Sequence, residues 1–131
     1  MNSIFGDIIR KFSSKKVLFV RLAKNTAEIK DIETGNLISR KSLEAFSNER
    51  LIVADFIIAE KFLLEIVNEL LNHKNKSLKI VLQINDSEIK EICNTEKVIY
   101  QDLMCQIGAT NYWLIEHQKE INDEQILNII K

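Results

Sequence analysis

Residues 56–84 read FIIAEKFLLEIVNELLNHKNKSLKIVLQI. In the first part of this stretch, apolar side chains fall at positions 56, 59, 62, 63, 66, 67, 70 and 71. That three-and-four spacing predicts a helix over Phe56–His73, with Asp55 as its N-cap and Asn75 near its C-terminus. The last seven residues, Leu78–Ile84 (LKIVLQI), predict a strand. A helix that feeds a strand decides for an α/β fold, provided strands also precede the helix.

They do. Lys16–Leu22 (KVLFVRL) is a short β-branched and aromatic run, and Ala27–Ile32 follows with partly alternating polarity. Glu33-Thr34-Gly35-Asn36 is a turn signal, and Leu37–Leu43 reads as a third strand, so the chain opens with a meander. Glu44–Arg50 is polar and predicts a connection. Beyond Ile84, Asn85-Asp86-Ser87 starts a helix over Glu88–Ile107, with Asn94-Thr95 as a place where it breaks or re-caps. Its inward positions by spacing are Ile89, Ile92, Val98, Ile99, Leu103, Met104 and Ile107, and Gly108 follows as its C′ residue. Asn111–Ile115 is a short strand in which one of Tyr112 and Trp113 faces the core and the other a helix or solvent. Asn122 with Gln125 resembles a capping box ahead of a last helix to Ile130. The order is β-β-β-α-β-α-β-α, which predicts a mixed five-stranded sheet with packed helices.

Composition bounds the function. One domain fits in 131 residues, and 46% hydrophobic with 28% charged side chains is ordinary for a globular chain. There is no proline, and the three glycines are Gly6, Gly35 and Gly108, which leaves little material for a phosphate-cradling glycine loop. Residues 1–16 carry a net charge of +3 and residues 17–131 a net −4, so the body lacks the basic face that nucleic acid requires. Cys93 and Cys105 are twelve residues apart in one predicted helix, about 18 Å and beyond disulfide reach. Both are expected to be small core residues of a reduced, cytosolic protein. No secretory signal and no run of 18 uncharged apolar residues is visible, and no His/Cys cluster has metal spacing.

Several segments resemble the bacterial actin homologue family MreB. Leu51-Ile52-Val53-Ala54-Asp55-Phe56, followed by Glu60-Lys61-Phe62-Leu63, is similar to that family's GVIADF and TEKML segments. Gly108-Ala109-Thr110-Asn111-Tyr112-Trp113-Leu114-Ile115-Glu116 is similar to its GAREVYLIEEP segment. Lys16–Thr26 resembles its first strand and phosphate loop, and residues 1–14 its short amphipathic N-terminal start. The resemblance implies an actin/ribonuclease-H-like half-domain, of the subdomain IA type, over residues 15–131, preceded by an arm over 1–14.

The same resemblance locates departures. At the phosphate loop this chain has Arg21-Leu22-Ala23-Lys24-Asn25-Thr26, with Arg21 in place of the family's metal-shell Asp and Ala23 in place of its Gly. His117 stands where the family has the Glu that positions the attacking water. Subdomain IB is reduced to roughly Glu44–Arg50, and the chain stops at Lys131 before the second half of the family's nucleotide cleft. These departures imply no catalysis and no cofactor. Arg21 and Lys24 can hold a phosphate by charge alone, and His117 can serve as a base, so a residual nucleotide-binding protein that completes its site by oligomerising is the alternative.

Two surfaces carry the expected role as a cell-shape-related binding module. In residues 4–12, Ile4, Phe5, Ile8, Ile9 and Phe12 fall on one helical face, flanked by Arg10 and Lys11. This is either an ordinary core-docked helix or an interfacial one that binds anionic membrane weakly and reversibly, which places the protein at the inner face of the cytoplasmic membrane. On the helix Glu88–Ile107, the outward positions Thr95, Glu96, Lys97, Tyr100 and Gln101 form a candidate interface, with Tyr100 as its anchor. The expected partner is a protein, either a second copy or a full-length actin-like chain.

Overall fold

The computed structural model describes residues 15–71, 77–85, 91–115 and 120–131. Its elements are β1 (Lys16–Ala23), β2 (Thr26–Asp31), β3 (Leu37–Lys41), α1 (Phe56–Leu71), β4 (Leu78–Ile84), α2 (Asn94–Gln106), β5 (Ala109–Ile115) and α3 (Asp123–Ile129). The five strands form one sheet in the order β3-β2-β1-β4-β5. The β1–β2 and β2–β3 pairs are antiparallel, and the β1–β4 and β4–β5 pairs are parallel. This is the element order and mixed sheet of the actin/ribonuclease-H-like half-domain.

Side-chain alternation along the strands splits the molecule into two unequal layers. Leu18, Val20 and Leu22 of β1 and Ile80, Leu82 and Ile84 of β4 face α1 and α2, and bury Leu63, Ile66, Leu103 and Met104 against them. Phe19, Val81 and Ile115 face the other way, onto Ile126 of the seven-residue α3. With layers on both sides, β4 is buried at six of its seven positions, which accounts for its near-continuous apolar sequence. At the sheet edge, β3 alternates between exposed and half-buried positions.

The ends of the elements are set locally. The Asp55 carboxylate accepts from Ile58 N–H at 3.1 Å, the expected N-cap of α1. Asn122 Oδ1 accepts from Gln125 N–H at 2.8 Å while Gln125 Oε1 accepts from Asn122 N–H at 2.9 Å, a closed capping box. The turn at residues 33–36 is organised by Asp31, which is only 1% exposed. Its Oδ1 accepts from the backbone of Glu33 and Thr34, and its Oδ2 from Lys16 Nζ at 3.2 Å. Burial lowers the Lys16 ammonium's affinity for its proton, but the Glu33 and Asp31 carboxylates outweigh that and hold it above the usual lysine range.

Three sequence expectations need correction and one gains a buried residue. The third strand ends at Lys41, not Leu43: its last rung is Ser42 N–H to Asn25 O, where β2 gives way to the Lys24-Asn25 turn, and the Leu43 side chain is fully exposed. The Glu44–Arg50 connection is a connection as expected, and within it Phe46 is completely buried and packs on Phe62 with ring centroids 5.4 Å apart. The second long helix begins at Asn94, after Cys93 as N-cap, with Glu96 reaching back to Cys93 N–H at 3.5 Å. Its inward stripe is Tyr100, Leu103, Met104 and Ile107, so Val98 is 56% exposed and both cysteines are exposed. The expected Asn75 end of α1 and the expected helix start at 86–90 lie outside the described residues.

Candidate functional site

The segment resembling a phosphate loop is a two-residue hairpin turn. Ala23 pairs with Thr26, and Lys24-Asn25 turns the chain with Asn25 at φ 56°, the left-handed region where Asn is tolerated. From that position Asn25 Oδ1 accepts from Phe46 N–H and Ser47 N–H, each at 2.9 Å. Asn25 N–H donates to Ser47 Oγ at 2.9 Å, and Asn25 O accepts from Ser42 N–H at 2.8 Å. Ser47 Oγ in turn donates to Ile52 O. Lys24 Nζ donates to Glu49 O at 3.0 Å. The turn's polar groups are thus spent on the chain's own 42–52 segment, which seats Phe46 in the core.

Arg21 is not part of this turn. It lies on β1, on the α3 side of the sheet, with its guanidinium 3.5 Å from Glu28 of β2 and its Nε without a hydrogen-bond partner. Ala23 and Thr26 are half-buried strand residues flanking the turn. The structure therefore does not bring Arg21 and Lys24 together at one end of a loop. His117 lies outside the described residues, as do Ile4, Phe5, Ile8, Ile9, Arg10, Lys11 and Phe12.

Beside α3 the sheet is left partly uncovered, and there an open groove of about 290 Å³ forms. Its floor and walls are Phe19, Arg21, Glu28, Lys30, Leu37 and Ile121, with Glu120 and Asp123 at the α3 side. Lys30 Nζ bridges to Asp123 Oδ1 at 2.9 Å and ties β2 to the start of α3. Leu37 is 52% exposed within it. Sequence reasoning did not find this groove, because its residues come from four separate segments and only the edge-strand alternation at Leu37 hinted at it.

The candidate interface on α2 is rearranged. Thr95 and Gln101 are exposed and Glu96 and Lys97 half-buried, but Tyr100 is 1% exposed. It sits in the middle of the stripe with Leu103, Met104 and Ile107, where a large flat side chain fills the space between α2 and the sheet. It cannot anchor a partner. Its hydroxyl lies near the Glu96 carboxylate without reaching hydrogen-bond geometry, and the buried hydroxyl of Tyr112 likewise has no partner. Burial first, then the Glu96 charge, pushes the Tyr100 phenol well above its ordinary range. Burial does the same to Tyr112. Tyr112 packs on the α1–α2 side of the sheet and Trp113 on the α3 side. Among the described residues, no group of three His, Cys, Asp or Glu side chains is placed to hold a metal ion, and no helix is long and apolar enough to cross a membrane.

No family model matches the chain. A curated relative, the uncharacterized protein YjaA of Escherichia coli strain K12, is 37% identical over 54 residues, which are 41% of this chain and 41% of that protein. The match thus spans about two fifths of the relative's length. A solved structure from Bacteroides thetaiotaomicron, described as having an actin-like ATPase fold and unknown function, is 18% identical at a TM-score of 0.42. That likeness covers 95% of this chain and 41% of the other. The topology set out above, not that overlap, defines the fold.

Proposed function

We propose that this chain is a non-catalytic, MreB-like binding module that works at the inner face of the cytoplasmic membrane and docks on another protein, a second copy or a longer actin-like chain. The observation that carries the non-catalytic reading is the Lys24-Asn25 turn. A phosphate loop needs backbone N–H groups pointing at the ligand. Here the Asn25 N–H is bonded to Ser47 Oγ, and its carboxamide oxygen is held by two further backbone donors. A glycine-free turn closed on its own chain offers a nucleotide no cradle. The resemblance of the arm to membrane-binding starts supports the location, and the exposed Thr95, Val98 and Gln101 face of α2 supports a protein partner.

Titration calorimetry of the full chain with magnesium and ATP tests the reading, with no saturable heat expected. Saturable binding, or metal-dependent phosphate release that is lost in His117→Ala, would overturn it in favour of an oligomer that completes a nucleotide site.

A further inference from the structure

The groove beside α3 combines an exposed large apolar side chain with a charged rim. Phe19, Leu37 and Ile121 supply its apolar surface. Three carboxylates, Glu28, Glu120 and Asp123, line it against two cations, Arg21 and Lys30. Each of those cations already faces a carboxylate, Arg21 at Glu28 and Lys30 at Asp123, which leaves the rim acidic on the α3 side.

The chain that precedes Lys15 leaves the described body on the same side of the sheet as this groove. Lys16 bonds Glu33 at 2.7 Å, in the same turn that contributes Gly35 to the groove. Lys15 Nζ donates to Asn111 Oδ1 at 2.9 Å. Asn111 alternates with Trp113 and Ile115, so Lys15 lies toward the α3 side of the sheet, the groove's own side. Fourteen residues precede Lys15, and they hold the apolar stripe at 4, 5, 8, 9 and 12 with Arg10 and Lys11 beside it. Even wholly helical, fourteen residues span about 21 Å, enough to reach from Lys15 across the α3 side of the sheet to the groove.

We propose that the groove is the docking site of this chain's own N-terminal stripe, with Phe12 and Ile8 over Leu37 and Phe19 and the Arg10–Lys11 pair against Glu120 and Asp123. The fit is apolar on apolar and basic on acidic. It rests on the groove and the arm's sequence, not on membrane binding. A stripe held this way is hidden in solution and has to leave the groove before it can engage anything else.

Limited trypsin digestion of the full-length protein reads the docking, because Arg10 and Lys11 are cleavage sites only while the arm is undocked. Leu37→Glu is expected to speed cleavage there roughly tenfold, the ratio for losing one apolar contact. Leu43→Glu, at an exposed leucine outside the groove, should leave the rate unchanged. Should Leu37→Glu unfold the domain, Ile8→Glu is the second variant, with the same acceleration expected and a displaced Leu37 methyl resonance in its spectrum. Unchanged cleavage in the folded Leu37→Glu variant, or an unmoved Leu37 resonance in Ile8→Glu, overturns the proposal. Protection that grows with protein concentration overturns it too, since it would place a second copy's arm in the groove. Vesicle binding is a separate measurement, so an arm that is protected in solution but ignores vesicles retains the docking and refutes only the membrane reading.

Discussion

Asn25 satisfies three backbone groups of the 42–47 segment while occupying a left-handed backbone position. Asn25→Gly keeps the conformation and removes the acceptor for Phe46 and Ser47, so a loss of about 1–3 kcal/mol is expected in urea denaturation. Asn25→Ala should cost about 1 kcal/mol more, because alanine resists that conformation. Equal losses would mean that backbone strain plays no part. The meander was legible from the two strand runs, but not that their connection tightens to the two residues Lys24-Asn25, because Ala23 and Thr26 fall outside both runs and read as loop. The turn's grip on Phe46 was not legible either, because one apolar residue in a polar stretch has no period to read. Tyr100 offers the opposite test. Its hydroxyl is buried without a partner, so Tyr100→Phe should leave stability at pH 7 unchanged or raised. The phenol's folded pKa is raised, so the unfolded chain releases its proton first as pH climbs past the ordinary value of 10.0. Burying the neutral phenol therefore costs the fold nothing extra below pH 10 and destabilises it progressively as pH rises above 10 toward the folded pKa. Tyr100→Phe is expected to soften the alkaline fall in denaturation midpoint between pH 9 and 11.5, and a fall identical to the parent's would refute the assignment.

At the scale of elements, α1 and β4 were read from sequence with little error because each carries one unambiguous period. The eight apolar positions of α1 form a single stripe, and Leu78–Ile84 is bounded as expected. The second helix carries two competing stripes. Both share Ile99, Leu103, Met104 and Ile107, but one adds Val98 and the other Tyr100. Val98 and Tyr100 sit about 160° apart on a helix, so only one can face the sheet. The sheet selects the stripe with more buried surface, and that choice turns Val98 and both cysteines outward. Leu103→Ala should therefore cost about 2–5 kcal/mol, whereas Val98→Lys should cost less than about 0.5 kcal/mol. Tyr100→Ala belongs with the costly changes, at about 3–5 kcal/mol. A partner that reads this helix has to use Thr95, Val98 and Gln101, and substitutions there should alter association without moving the melting temperature.

At the scale of the molecule, the two sheet faces receive unequal cover. Among the described residues, two long helices bury one face, while the other has only the seven-residue α3 as helical cover, with a groove over its β2–β3 half. The mixed five-stranded sheet was legible because a meander followed by two strand–helix units leaves few arrangements. The uncovered half was not, since exposure of a sheet face depends on where a short terminal helix lands. If both proposals hold, the acidic groove and an anionic bilayer compete for the arm through the same apolar stripe and the same cations. Full-length protein should sediment with vesicles containing anionic lipid and less so as salt rises, because screening shortens the reach of Arg10 and Lys11. Ile8→Glu should abolish this binding by placing a charge on the apolar face. Leu37→Glu should strengthen it, because a stripe no longer held by the groove binds without first being released. Weaker or unchanged vesicle binding in Leu37→Glu would show that groove and membrane do not compete for the arm. Salt-independent binding would show that the basic residues are not what holds the arm at the lipid surface.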